Sequence, residues 1–319
     1  MDQHLAMLPQ VLVDGLTLGS VYAVVALGYT MVYGVLEFIN FAHSEIFMFG
    51  AFCGVEVLLA LQGSSIFGAA PVLILLLLTI LAAMLLAGLL GAAVERIAYR
   101  PLRRAPRLVP LISAIGVSFF LQDAVRLVEG LWHNAFYRPY PSIVDQVIHL
   151  GTNLDVPLKS AMVVLTVLLM MGGLTMFVNR TKLGKGIRAV AQDQTTASLM
   201  GINVDGMISL TFFVGAALGG AAGVLFGIQY SMVHPYIGFI LGIKAFTAAV
   251  FGGIGNIPGA MLGGVLLGVF ESLGAAYLSI LTHNVFRAEY KDVFAFVILI
   301  AVLIFKPSGL LGEVVGEKV

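Results

Sequence analysis

Apolar residues in this chain come in long blocks rather than in alternation. Blocks fall near 10–34, 45–61, 70–94, 108–129, 160–178, 207–229, 237–252, 259–281 and 292–306, and residues 71–94 read PVLILLLLTILAAMLLAGLLGAAV. About 20 apolar residues wound as a helix cross the hydrocarbon core of a bilayer. A membrane β-barrel would instead show alternating segments of about ten residues, and none is present. The pattern predicts an all-α, polytopic transmembrane helical bundle with about eight crossings, a single domain over 1–319. The 237–252 block is short for a crossing and is expected to be a half-helix or re-entrant piece.

Composition agrees. Hydrophobic residues make up 60% of the chain and charged residues 11%, against about 25% charged in a soluble domain. Basic and acidic residues number 17 each, so charge points to no nucleic acid. Cys53 is the lone cysteine and is expected to be a small buried filler. No basic n-region or A-x-A-like cleavage site precedes the first block, so no cleaved signal peptide is expected, nor a soluble domain at either end. Arg96, Arg100, Arg103, Arg104 and Arg107 crowd the 95–107 loop, and Arg180, Lys182, Lys185 and Arg188 the 179–206 loop. The positive-inside rule places both in the cytoplasm and, counting forward, the C-terminus as well. The 130–159 loop falls outside, with Trp132, Tyr137 and Tyr140 as interface anchors.

Two interruptions break the apolar pattern. Residues 37–52 read EFINFAHSEIFMFGAF, placing Asn40, His43, Ser44 and Glu45 inside the first hydrophobic region. Residues 251–264 read FGGIGNIPGAMLGG, with Gly252, Gly253, Gly255 and Asn256. Broken or re-entrant segments in both halves are a pointer to a transporter's midplane site. The competing reading is polar glue between helices. Charges within or near the spans are Asp14, Glu45, Glu56, Asp123, Arg126, Lys244 and Glu271. Each needs a partner, a cavity or an interface, because a lone charge in hydrocarbon costs several kcal/mol. Asp123 and Arg126 are expected to pair locally, and Lys244 to snorkel or to pair across the bundle. Glycines spaced by four (15/19, 215/219/223/227, 264/268) predict close helix–helix contacts.

Catalytic chemistry is missing. LGKGIR (183–188) lacks the upstream glycine and following Ser or Thr of a P-loop. GGIGNIPG (252–259) lacks the strand context of a dinucleotide loop. The histidines do not cluster with acids at metal-ligand spacing, so neither metal nor cofactor is expected. The loop GKGIRAVAQDQTTASLMGINVDG (184–206) does show helical periodicity. Ile187, Val190, Ala191, Gln194, Ala197 and Ser198 share a face, and Gly201 follows as a C-cap. A capped helix over 187–201 can be a plain surface helix or can dock into a partner.

These stretches carry a family resemblance. GLTLGSVYAVVALGYTMVYGVLEFINFAHSEIFMFGAF, ERIAYRPLR, LISAIGVSFFLQ, the 184–205 loop, HPYIGF, KAFTAAVFGGIGNIPGAMLGGVLLG and EYKDVFAFVILIAVLIFKPSGLLG resemble, in order, the permeases of branched-chain amino-acid ABC importers, H-type subunit. The family's common glycine after NFAH is Ser44 here. The resemblance implies a permease for leucine, isoleucine and valine in the bacterial inner membrane. Its implied partners are an M-type permease subunit, two cytoplasmic ATPase subunits and a periplasmic binding protein. It further implies no ATPase site of its own and a coupling helix in the 179–206 loop involving Arg188, Asp193, Ala197, Ser198 and Gly201. A fold-level likeness to ribose-type permeases adds weight to the two breaks as pathway elements. The rivals are an ion-coupled secondary transporter using His43 and Glu45 as a proton relay, an intramembrane enzyme, and a structural scaffold.

Overall fold

A computed structural model describes residues 7–64, 71–103, 105–106, 108–144, 146–149, 154–283 and 285–312. Arg104 and Arg107 of the basic loop, and the end of the chain from 313, lie outside these. Among the described residues eleven α-helices follow in order: α1 Leu8–Leu36, α2 Ala42–Gln62, α3 Val72–Val94, α4 Leu108–Trp132, α5 Leu158–Arg180, α6 Lys182–Gln192, α7 Gln194–Leu199, α8 Val204–Tyr230, α9 Ile237–Gly252, α10 Ile257–Leu281 and α11 Lys291–Phe305. Among the described residues, seven are long and apolar enough to cross a membrane: α1, α2, α3 with its extension to Leu102, α4, α5, α8 and α10. With the 16-residue α9 and the 15-residue α11, this is the polytopic bundle that the apolar blocks predict.

Contacts between glycines and facing backbones fix the arrangement. Gly50 of α2 faces Gly220 of α8, and Gly223 of α8 faces the Phe47 carbonyl and, at 2.6 Å from the position of an added Cβ, the Ala51 amide. Gly15 and Gly19 of α1 meet Val269, Gly264 and Val265 of α10 in antiparallel order. Without a hydrophobic drive between helices in lipid, close backbone approach through small residues is what holds them together. α1 and α8 form the buried centre, while α4 and α5 turn Phe120, Leu127 and Leu169 outward, as lipid-facing helices do.

One end of the bundle carries two short antiparallel ribbons among the described residues. β1 (Arg138–Pro139) pairs with β4 (Met232–Val233), and β2 (Val147–His149) with β3 (Asp155–Pro157). This is the strand end; α6 and α7 mark the opposite one. Trp132 and Tyr137 are exposed there as expected of anchors, but Tyr140 is not. It is buried in a notch between Gly54 and Gly227, its amide donating to the Ser231 carbonyl at 3.0 Å. The missing Cβ atoms open a slot that an aromatic ring fills, and this outweighs its interfacial preference.

α9 starts inside the bundle rather than at its end. Gly238 in its first turn lies against Glu45 and Ser44 of α2. Glu45 is about 14 Å down α2 from Gly54, nine residues at a 1.5 Å rise. From there α9 runs antiparallel to α10 and stops at Gly252, which packs on Gly259. Gly253 (φ 113°) and Gly255 (φ 90°) then turn the chain in a region that L side chains rarely adopt. The expected half-helix is therefore present, with a tight glycine turn at its far end.

If the α2–α8 contact holds the bundle, Gly223→Val should lower the thermal unfolding midpoint of purified protein in detergent, at a cost of about 1–3 kcal/mol. Gly172→Ala, whose added Cβ meets nothing within 4 Å, should leave the midpoint unchanged or raise it. Equal midpoints for the two would show that the helices separate freely at this contact.

Candidate functional site

The first break is a turn between two antiparallel helices. α1 ends at Glu37 in the left-handed region (φ 53°), its amide returning to the Tyr33 carbonyl at 2.8 Å. Asn40 is buried and its Oδ1 accepts from the Tyr99 hydroxyl at 2.7 Å. The π-helical turn Glu95–Tyr99 that extends α3 carries both Glu95 and Tyr99 into the interior. His43 fills a notch left by Gly28 and Gly219, with its ring edge-on to Tyr29 at 4.8 Å between centroids. Ser44 Oγ donates to the Phe41 carbonyl at 2.8 Å. Glu45 Oε1 accepts from Ser118 Oγ of α4 at 3.3 Å, and Oε2 faces the first turn of α9. All four side chains are buried.

The second break is held by the C-terminal segment. Asn256 caps α10 by accepting from the Gly259 amide at 3.0 Å, and its Nδ2 donates to the Leu311 carbonyl at 2.8 Å. The amides of Leu310 and Leu311 donate to the carbonyls of Phe251 and Gly252 at 2.8 and 2.9 Å. Gly253 packs on Gly312. The structure thus brings Asn40, His43, Ser44 and Glu45 together, and Gly252, Gly253, Gly255 and Asn256 together, but keeps the groups apart. They adjoin opposite ends of α9, about 24 Å along its 16 residues.

A third group was only half visible in sequence. Lys244 of α9 reaches Glu271 Oε1 of α10 at 3.0 Å and Asp292 Oδ1 of α11 at 2.8 Å. Lys291 Nζ reaches the same Glu271 oxygen at 2.9 Å, and the Tyr22 hydroxyl of α1 donates to Glu271 Oε2 at 2.8 Å. Lys244 and Glu271 stand out as charges in apolar blocks. Tyr22, Lys291 and Asp292 carry no local signal, because the partners come from four helices. Asp123 and Arg126 do pair locally, at 3.4 Å. At the strand end, Glu56, Glu129 and His133 converge, but Arg138 already lies between the two carboxylates, at 2.8 and 3.1 Å.

The 179–206 loop departs from the expected single helix over 187–201. Asp193 takes an extended conformation (φ −160°) and splits it into α6 and α7. Its carboxylate accepts from the Thr195 amide at 2.8 Å, capping α7, as an aspartate does where a chain can restart a helix. Thr181 caps α6 through the Gly184 amide at 2.9 Å. Gly201 (φ 80°) closes α7, its amide bonding to the Ser198 carbonyl at 3.0 Å while the Ile202 amide reaches the Ala197 carbonyl at 3.1 Å. That pair of bonds is the Schellman motif. Ile187, Val190 and Ala197 are buried as the periodicity predicts, but Ala191, at the end of α6, is exposed, and so are Gln194 and Ser198, because the break at Asp193 resets the helix face beyond it. Arg188 is also exposed, its Nη1 3.5 Å from Asn179 Oδ1. Leu199 and Met200 project at the tip, 82% and 78% exposed. Gln194 Nε2 donates to the Val35 carbonyl at 3.1 Å, tying α7 to the end of α1.

Comparison with known proteins defines the class. Residues 11–303 match the family described as branched-chain amino acid transport system / permease component. The chain is 45% identical over 314 residues to the high-affinity branched-chain amino acid transport system permease protein BraD of Pseudomonas aeruginosa, covering 97% of each chain. It is 44% identical over 322 residues to the permease protein LivH of Escherichia coli K12, covering 100% of this chain and 99% of that one. A probable branched-chain amino acid transport permease protein LivH of Methanocaldococcus jannaschii is 27% identical over 306 residues, 92% of this chain and 89% of the relative. No solved structure matches. The chain belongs to the branched-chain amino acid transport permease family.

Lys244→Met should destabilise the protein strongly, since breaking a buried ion pair leaves an uncompensated charge worth about 3–5 kcal/mol. Adding Asp292→Asn should recover much of the loss in the unfolding midpoint. A double variant no better than the single would mean that Asp292 does not share the Lys244 charge.

Proposed function

We propose that this chain is a membrane-spanning subunit of an ATP-driven importer of leucine, isoleucine and valine, working by alternating access in the bacterial inner membrane with its C-terminus in the cytoplasm. The observation that carries the reading is the family match over nearly the whole chain. Its partners are an M-type permease subunit, two cytoplasmic ATPases that bind and hydrolyse the ATP, and a periplasmic binding protein. Relatives named as parts of transport systems favour this over an ion-coupled carrier that works alone.

The α6–α7 segment is the coupling element in this proposal. Its exposed Leu199 and Met200 tip suits an apolar groove on an ATPase, flanked by Arg188, Asp193 and Ser198, while buried Ala197 seats it on the bundle. The Gln194–Val35 bond supports transmission of its motion to α1. α1 leads directly into Asn40, His43, Ser44 and Glu45, and the first turn of α9 lies against that cluster. Residues Gly252, Gly253, Gly255 and Asn256 act at the other end of α9 as the turn about which it tilts. In this reading the two breaks are the two mountings of one short helix that lines the passage.

Reconstituted with the M-type subunit, the ATPases and the binding protein, the chain should support leucine uptake that requires ATP. Uptake that continues without the ATPases would sink the proposal. Asp193→Ala removes the α7 cap, a loss of about 0.5–2 kcal/mol, and Gly201→Ala strains its left-handed C-terminus. Both variants should assemble and hydrolyse ATP yet lose most of their uptake. Normal uptake in both would remove α7 from the coupling role.

A further inference from the structure

We propose that a cavity at the strand end of the bundle receives the amino acid as a zwitterion, with Lys291 taking its carboxylate and Asp14 its ammonium group. The inference rests on the importer reading above and assigns that reading a substrate site.

The cavity is an open cleft of about 1020 Å³ between α1, α10, the end of α8, β3 and the start of α11. This is ample for one amino acid, and it lies at the end opposite α6 and α7, where a substrate-delivering protein would dock. Val11 and Leu18 of α1 and Ala275 and Ala276 of α10 give it apolar walls, which suit a branched aliphatic side chain. Its charged lining residues are the cation Lys291 and the acids Asp14 and Asp155, of which Asp155 already meets His149 Nδ1 at 2.6 Å.

Lys291 is placed to serve a second anion. Its side chain is 40% exposed while that of its partner Glu271 is 3% exposed. Glu271 does not depend on it, because Lys244 at 3.0 Å and Tyr22 at 2.8 Å also donate to that carboxylate. Glu271 therefore orients the Lys291 ammonium without consuming its three donors. Asp14 lies on the exposed part of α1, with one hydrogen bond, from Gln10 Nε2 at 3.1 Å. An exposed carboxylate that accepts from one amide retains acceptor capacity for an ammonium group. The three parts of a branched-chain amino acid, anion, cation and aliphatic branch, thus each meet matching chemistry in one cavity. Glu271 Oε1 joins Lys291 to Lys244 of α9, at 2.9 and 3.0 Å.

The test uses the complete reconstituted transporter with Cys53→Ala, which removes the sole native cysteine, and Ala276→Cys as a reporter in the cavity wall. A water-soluble maleimide should label the reporter, and leucine presented by its binding protein with ATP should slow the labelling. Lys291→Gln should raise the leucine concentration for half-protection and for half-maximal uptake by about 10-fold or more, the worth of one charge-assisted hydrogen bond. Lys291→Arg should restore both. Should Lys291→Gln fail to assemble, Asp14→Asn, at an exposed position, should weaken protection in the same way. Equal protection in the Lys291→Gln and Asp14→Asn proteins overturns the assignment. Labelling unaffected by leucine while ATP-dependent uptake proceeds overturns the site and leaves the importer standing. Absence of ATP-dependent uptake in the unsubstituted complex overturns both.

Discussion

A charge that cannot reach water must be neutralised from within, and Lys244 shows how far this constraint reaches. Its ammonium group lies among helices, so it needs acceptors, and the nearest come from α10 and α11. Of those acids, Glu271 also accepts from Tyr22 and lies against Lys291. One buried cation therefore fixes the relative positions of α1, α9, α10 and α11. An apolar substitute pair would pack as well, since buried ion pairs add little net stability. What the network supplies is register, because charged partners at about 3 Å accept far fewer alternative alignments than leucines do.

The rest of the bundle is aligned by shape. Helices without a hydrophobic drive toward each other gain by contact alone, and the contacts here are glycine against backbone. The same absences of Cβ make room for His43 and Tyr140. A small residue on one helix and a ring on another form a lock that resists sliding. The polar cluster after α1 is part of this frame: Asn40, His43 and Ser44 are each engaged with a neighbouring helix or turn, as well as lying next to α9.

Most of the architecture was legible in the chain, because the signal for a membrane helix is local and strong. The apolar blocks, the short 237–252 segment, the glycine spacings and the Gly201 cap all rest on patterns a few residues long. The failures have a common cause. Asp193 sits in an amphipathic pattern that runs on without a stop, and only its side chain's choice to cap the next turn breaks the helix. Tyr140 looks like any interfacial tyrosine until Gly54 and Gly227 are brought beside it. The partners of Lys244 lie 27 and 48 residues away, and no periodicity links them. For the same reason, two similar-looking breaks suggested one site, whereas the turn direction of α9 sets them a helix length apart.

The clasp of Leu310 and Leu311 on the Phe251–Gly252 turn has a consequence for the order of events during synthesis. α9 is too short to be held in a bilayer as a span of its own, and the carbonyls at its end find partners only some 60 residues further along the chain. While the ribosome is still making α10 and α11, that turn has exposed acceptors and no lid. The turn that ends the half-helix therefore gains its backbone partners only once residues 310–311 have been made.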